Sequence, residues 1–168
     1  MEEGAALSVS APARIAESGT ERDYECARTI CRGAIRLLHA HGYAAVAELS
    51  LASGRRADLV AIGAGGEILV IEVKSSVADF RADQKWKEYR EHCDRLLFAV
   101  APDFPQQLIP ASAGLIVADG FGGEILREGM KHPVAAATRK AVLLRASRVA
   151  ASRLAALNDP NLASGELL

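Results

Sequence analysis

The sequence predicts an α/β domain, a mixed β-sheet flanked by helices in the order αβββαβ, followed by a hairpin and a long final helix. Three observations carry that prediction. Apolar residues at helical spacing over 21–41 precede three period-two runs joined by glycine turns. A capped helical segment then separates the third run from DRLLFAVA (94–101), the near-continuous apolar pattern of a strand buried on both faces. Half of the 168 residues are hydrophobic, enough for one sizeable core.

The first helix spans Glu21 to His41. Tyr24, Ala27, Cys31, Ala34, Ile35 and Leu38 form its apolar stripe, with Thr20 as N-cap and Gly42 as stop. A charged stripe (Glu21, Glu25, Arg28, Arg32, Arg36) runs beside it. This is either a solvated face of i,i+3 and i,i+4 pairs or an edge that tracks phosphates. Strands follow at Tyr43–Leu51, Arg56–Gly63 and Glu67–Lys74. Ala52-Ser53-Gly54-Arg55 and Gly63-Ala64-Gly65-Gly66 are the turns between them. The glycine run lacks a GK[ST] ending and leads into a strand, so it reads as a hairpin, not a phosphate loop.

Ser76-Val77-Ala78-Asp79 opens a second helix with a capping pattern. Ala82, Trp86, Tyr89 and Cys93 form its core stripe, a spacing that favours packing over base stacking for Trp86 and Tyr89. The strand 67–74, this helix and the strand 94–101 should make a parallel crossover, the rest of the sheet being antiparallel. Short strands at Gly114–Ala118 and Glu124–Arg127 flank Asp119-Gly120, and Ala135–Leu157 is the last helix. Residues 1–18 read as a mobile tail, 19–158 as one domain and 159–168 as a frayed end.

Composition narrows the function classes. The net charge of −1 does not by itself announce a nucleic-acid binder. No apolar run reaches the roughly 18 residues of a membrane span, and no signal pattern opens the chain; a cytoplasmic protein is expected. Cys26, Cys31 and Cys93 include no CxxC pair, which argues against zinc and disulfides. His39, His41, His92 and His132 show no ligand spacing.

The chemistry concentrates in two strands. Period two puts Val70, Glu72 and Lys74 on one face of a strongly apolar strand. If the second and third strands pair across Gly63–Gly66, opposed residue numbers sum to about 130, and Asp58 faces Glu72. Opposed carboxylates repel unless a cation lies between them. Mg²⁺ and Mn²⁺ suit that need, since Mg²⁺ takes oxygens at roughly 2.0–2.1 Å and often uses only one or two carboxylates. Asp58 and Glu72 would bind the ion, with the Val73 carbonyl as a third ligand. Lys74 would orient a metal-bound water or stabilise charge developing on phosphate. The bland counterpart is a salt bridge from Lys74 to either acid on a sheet face.

Arg56-x-Asp58-Leu59-Val60 followed by Ile71-Glu72-Val73-Lys74 resembles the PD-(D/E)xK nuclease superfamily, with Ala57 in place of the proline. The likeness extends through Lys74-Ser75-Ser76 and Asp79-Phe80-x-Ala82-Asp83-x-Lys85-Trp86-x-x-Tyr89 to Cys93-Asp94-Arg95. Over roughly 22–157 the chain is similar to the bacterial MmcB family of DNA repair proteins. The resemblance implies a restriction-endonuclease-like fold and a DNA endonuclease role in repair, with DNA and other repair proteins as partners. A non-cleaving scaffold of the same fold is the alternative. It also suggests accessory roles for a first-helix glutamate, Glu25, and for Gln84 over the site. Glu25 is already explained by its helical neighbours Arg28 and Arg32, and Gln84 is equally explained by solvent exposure.

Glu48 either completes the carboxylate cluster from the first strand or is simply exposed. Arg55 and Arg56, at the turn beside Asp58, are candidates for phosphate contact. Between Pro133 and Asn158 the chain carries Arg139, Lys140, Arg145, Arg148 and Arg153 and no acid. Arg145 and Arg148 share a face that would attract a nucleic-acid backbone, or is a solvated cationic face.

Overall fold

The computed structural model describes residues 21–159, 161 and 162. The expected tail at 1–18, the Thr20 cap and most of the expected frayed end lie outside the described residues. Six strands lie side by side in chain order: β1 (Ala44–Ser50), β2 (Arg56–Ile62), β3 (Ile68–Lys74), β4 (Arg95–Val100), β5 (Gly114–Ala118) and β6 (Gly123–Arg127). The helices are α1 (Glu21–Ala40), α2 (Val77–Ala82) and α3 (Ala136–Asn158), with a 3₁₀ helix at Lys85–His92. This is the expected mixed sheet flanked by helices.

The β1–β2–β3 meander is antiparallel, β3 and β4 are parallel, and β5–β6 is a hairpin. One expectation fails: β4 and β5 are also parallel. The connection over 101–113 carries the chain back across the sheet with a single turn of 3₁₀ helix, Gln106–Leu108. It can do so because Phe104 and Ile109 bury themselves against Phe98, Val100 and Leu115, so the loop supplies the cover a crossover helix would give.

Helix α1 covers one face. Ile30, Ala34, Leu37 and Leu38 pack on Leu59, Leu69, Ile71, Val73 and Leu97. That buried stripe is rotated from the expected one, leaving Tyr24 46% exposed. The rotation brings Gly33 against the β5–β6 turn, where a Cβ would come within 1.9 Å of the Asp119 carbonyl oxygen. Arg32 and Arg36 donate to the Gly120 carbonyl, and Arg36 also to that of Phe121. These two arginines clamp a turn instead of tracking phosphates. Gly42 ends α1 at φ +80°, as the stop required.

The other face is covered by α3 and the 3₁₀ helix, with Val142, Ala146, Tyr89 and Cys93 against Val60, Ile68, Val70 and Leu96. All seven residues of β3 are buried. Asp94, also buried, accepts both guanidinium nitrogens of Arg139 at 2.7 Å and the Ile68 N–H at 2.8 Å, pinning the start of α3 to the sheet.

The single helix expected after Ser76 is instead two pieces. Ser76 does cap the first, its Oγ accepting the Asp79 N–H at 3.2 Å. Asp83 is then extended (φ −85°, ψ 108°), and the chain continues as a 3₁₀ helix. Its three-residue period aligns Trp86, Tyr89 and His92. Trp86 meets Phe98 edge-on at 5.4 Å, and Tyr89 is buried, as their spacing suggested.

Candidate functional site

The site grows from a place where the sheet stops being regular. The β2–β3 register is Leu59↔Ile71 and Val60↔Val70, the sum of 130 read from the sequence, and the ladder ends there. One step further, at Asp58 and Glu72, side chains replace backbone bonds. Asp58 Oδ2 accepts the Val73 N–H at 2.8 Å, and Glu72 Oε1 accepts the Asp58 N–H at 3.3 Å. The two carboxylates thus sit in the seam between splaying strands. On the other side of Asp58 the β1–β2 register skips Glu48, which holds φ +50° and is exposed. Arg153 of α3 reaches the Ala47 and Glu48 carbonyls at 2.6 and 3.5 Å and braces this kink.

Lys74 is buried. Its Nζ lies 3.9 Å from Glu72 Oε2 and 2.6 Å from Asp83 Oδ2. Tyr89 closes the cluster, its hydroxyl donating to the Arg56 carbonyl at 2.9 Å. Burial and then the Asp58 charge push the Glu72 carboxyl up to about 9, against the pull of Lys74. Asp58 is pushed up as well, chiefly by burial, which the Val73 N–H and Lys74 only partly offset. Burial works against the ammonium of Lys74, but the Asp83 hydrogen bond and the Glu72 charge outweigh it and raise its affinity for a proton. Burial likewise opposes the Asp83 carboxylate, and the same hydrogen bond wins, holding it below its ordinary range. The cluster therefore sets two acids that burial disfavours as anions beside a tight ammonium–carboxylate pair.

The family described as DNA repair protein MmcB-like matches residues 16–161. The chain belongs to the MmcB-like family of DNA repair proteins. A solved structure of a protein of unknown function from Silicibacter pomeroyi is similar to it at 46% identity, with a TM-score of 0.78, covering 80% of this chain and 92% of that one. No curated protein matches.

In this MmcB-like chain the structure brings Asp58, Glu72 and Lys74 together and leaves other residues singled out by sequence elsewhere. Glu48 is level with Asp58 and exposed, and the structure gives it no bond to the three. Glu25 is exposed, 3.9 Å from Arg28, and bonds to none of the three. Gln84 is exposed and donates to the Arg81 carbonyl. Arg55 is engaged by Glu88 through two bonds of 2.8 and 3.0 Å. Arg56 is exposed beside the seam, while Arg148 is exposed and Arg145 half-buried on α3. Arg139 and Arg153 of the same helix serve the fold. Asp83 is the residue that sequence reasoning passed over, although it lies within the block of family likeness. No helix among the described residues is long and apolar enough to cross a membrane.

Proposed function

We propose that this MmcB-like chain is a metal-dependent DNA endonuclease of repair, with Asp58 and Glu72 holding Mg²⁺ or Mn²⁺ and Lys74 acting beside them. The observation that carries the reading is the seam itself. Two carboxylates meet where the ladder ends, both disfavoured as anions by burial, with an ammonium two residues on. Their hard oxygens fit the ion. Among the described residues no group of three or more His, Cys, Asp or Glu is placed to hold a metal. Two acids nonetheless match Mg²⁺, which commonly takes one or two carboxylates and fills its remaining positions with water and substrate phosphate. A strand residue turns its N–H and C=O to the same neighbour, so the Val73 carbonyl faces the β2 side, where its N–H meets Asp58, and suits a third ligand.

When bound, the ion supplies Lewis acidity and an acidified water. The chain's own residues do the rest. Asp58 and Glu72 fix the position of the charge. One Lys74 donor is taken by Asp83, and the other two would turn to a phosphate oxygen or the attacking water, stabilising charge as it develops. Arg56, Arg145 and Arg148 supply positive charge for the DNA backbone.

A second reading, a DNA-binding or scaffold protein of the same fold without turnover, is favoured by one observation. Every acid of the cluster already serves the fold, Asp58 and Glu72 by satisfying backbone N–H groups and Asp83 by pairing Lys74. Incubating the purified chain with single-stranded, duplex and branched DNA in Mn²⁺, Mg²⁺ or EDTA separates the two. Metal-dependent cleavage lost in Asp58→Asn supports the enzyme; binding without cleavage under every condition supports the scaffold.

A further inference from the structure

Asp83 makes the shortest ion pair among the described residues, 2.6 Å to Lys74, with side chains 17% and 5% exposed. A buried ammonium must have a partner. Two carboxylates are in reach, and the structure divides them unequally. Asp83 is in full contact, whereas Glu72 stays 3.9 Å away. Asp83 is itself held from behind. Its Oδ1 accepts the Lys85 N–H at 2.8 Å, and its own N–H donates to the Asp79 carbonyl at 3.1 Å. The extended backbone at Asp83 also ends the first helical piece there, and from that position the carboxylate reaches Lys74 on the strand beneath. So Asp83 is a fixed socket that the chain departs from regular structure to build.

The core of the cluster holds three acids, Asp58, Glu72 and Asp83, and one cation, Lys74, while the charges of Asp79 and Arg56 act on it from further off without ion-pair contact to Lys74. With Asp83 satisfying Lys74, the other two acids remain available as a pair. Without Asp83, Glu72 is the nearest carboxylate to the ammonium, and a modest side-chain adjustment would close 3.9 Å to contact. We propose that Asp83 is a positioning residue of the site. Its carboxylate holds the Lys74 ammonium off Glu72, so that Glu72 keeps its oxygens for the cation and Lys74 keeps two donors for phosphate. This rests on the roles assigned above to Asp58, Glu72 and Lys74.

The test has two arms, both on the full chain. In the first, Mn²⁺ is titrated calorimetrically. Asp83→Asn should weaken Mn²⁺ binding by about tenfold or more, the scale for losing a partner that orients a ligand. Adding Lys74→Met removes the ammonium that would seize Glu72, and the double variant should recover most of the affinity. A merely structural role for Asp83 would not be rescued in this way. Should the double variant bind no better than Asp83→Asn, or Asp83→Asn bind like the parent, the proposal is overturned. Asp83→Ser, which keeps an acceptor for the Lys85 N–H, replaces Asp83→Asn if that variant does not fold.

The second arm needs no metal. In EDTA, a double-mutant cycle on unfolding (Glu72→Gln with Lys74→Met) measures how strongly Glu72 and Lys74 feel each other. The coupling should be weak in the parent and about fivefold or more larger, in the unfolding equilibrium constant, when Asp83 is Asn. Equal coupling in both backgrounds overturns the positioning role. A parent that binds no Mn²⁺ sinks the nuclease reading instead, and the second arm still decides whether Asp83 holds Lys74 away from Glu72.

Discussion

Raising the pH of the metal-free protein should destabilise it through Glu72. In the folded chain its carboxyl is pushed up to about 9, first by burial and then by the Asp58 charge, from an ordinary value of 4.5. Between those limits the folded chain keeps a proton that the unfolded chain has released. The contribution is therefore fully present below about 4.5 and is lost as pH rises through 9. Each pH unit inside the window costs about 1.4 kcal/mol, so moving from pH 5 to pH 8 should cost on the order of 4 kcal/mol. Asp58, also pushed up, acts in the same direction. Asp83 and Asp94 are held low, so their contributions fail only in acid, outside this range. Urea unfolding in EDTA, followed by the fluorescence of the single tryptophan, Trp86, would read the slope. Glu72→Gln cannot ionise and should flatten it, matching the parent near pH 5 and exceeding its stability near pH 8. Saturating Mn²⁺ should oppose the parent's slope, because the ion displaces the proton and binds more tightly as pH rises. A parent-minus-variant difference that is the same at pH 5 and pH 8 would show Glu72 ionised throughout, and the reasoning about the seam would fail.

Mn²⁺ titration at pH 8 should show saturable binding that Asp58→Asn and Glu72→Gln each weaken by tenfold or more; unchanged affinity in both would place the ion elsewhere. Lys74→Ala should keep most DNA affinity yet lose single-turnover cleavage by on the order of 10²-fold, because its contacts are made mainly in the transition state. Arg145→Ala with Arg148→Ala should do the reverse, weakening binding and flattening its salt dependence while sparing cleavage at saturating DNA. Arg139→Ala strips the buried Asp94 of its bidentate partner and should cost roughly 2–3 kcal/mol in urea unfolding; a loss below about 0.5 kcal/mol would contradict the pinning of α3.

The parts of the fold legible in the sequence are those fixed by local pattern. Turn glycines and period-two runs placed β1, β2 and β3 within a residue or so of their ends. The fully apolar 94–101 run announced β4 as a strand buried on both faces. What stayed hidden was decided by tertiary fit. The stripe of α1 rotated because Gly33 permits a backbone approach that no other residue would tolerate, and two arginines then found carbonyls across it. The β4–β5 pairing is parallel because an irregular loop buries Phe104 and Ile109 well enough to act as a layer, a property that no periodicity advertises. The basic helix was legible as basic, but not in its division of labour. Arg139 and Arg153 hold the fold, while Arg145 and Arg148 enter no ion pair among the described residues.

The candidate site divides along the same line. Asp58 and Glu72 could be paired from numbers alone, because hairpin register is arithmetic once the turn is known, and the structure keeps that arithmetic up to Leu59 and Ile71. Their next step, trading backbone ladder bonds for side-chain ones, follows from burial: a carboxylate in the sheet interior must find N–H donors, and the parting strands expose two. Asp83 has no such arithmetic. The segment from Ser76 to Cys93 carries a helix pattern throughout, and local propensity alone would run it straight. The helix ends at the residue that pairs with Lys74, buried on the strand beneath, and an unpaired buried ammonium would be costly. An ionisable residue predicted to lie inside a sheet is thus a reason to look in the helix above it for an acid that interrupts the pattern. In this chain, Asp83 is the acid that would have been found.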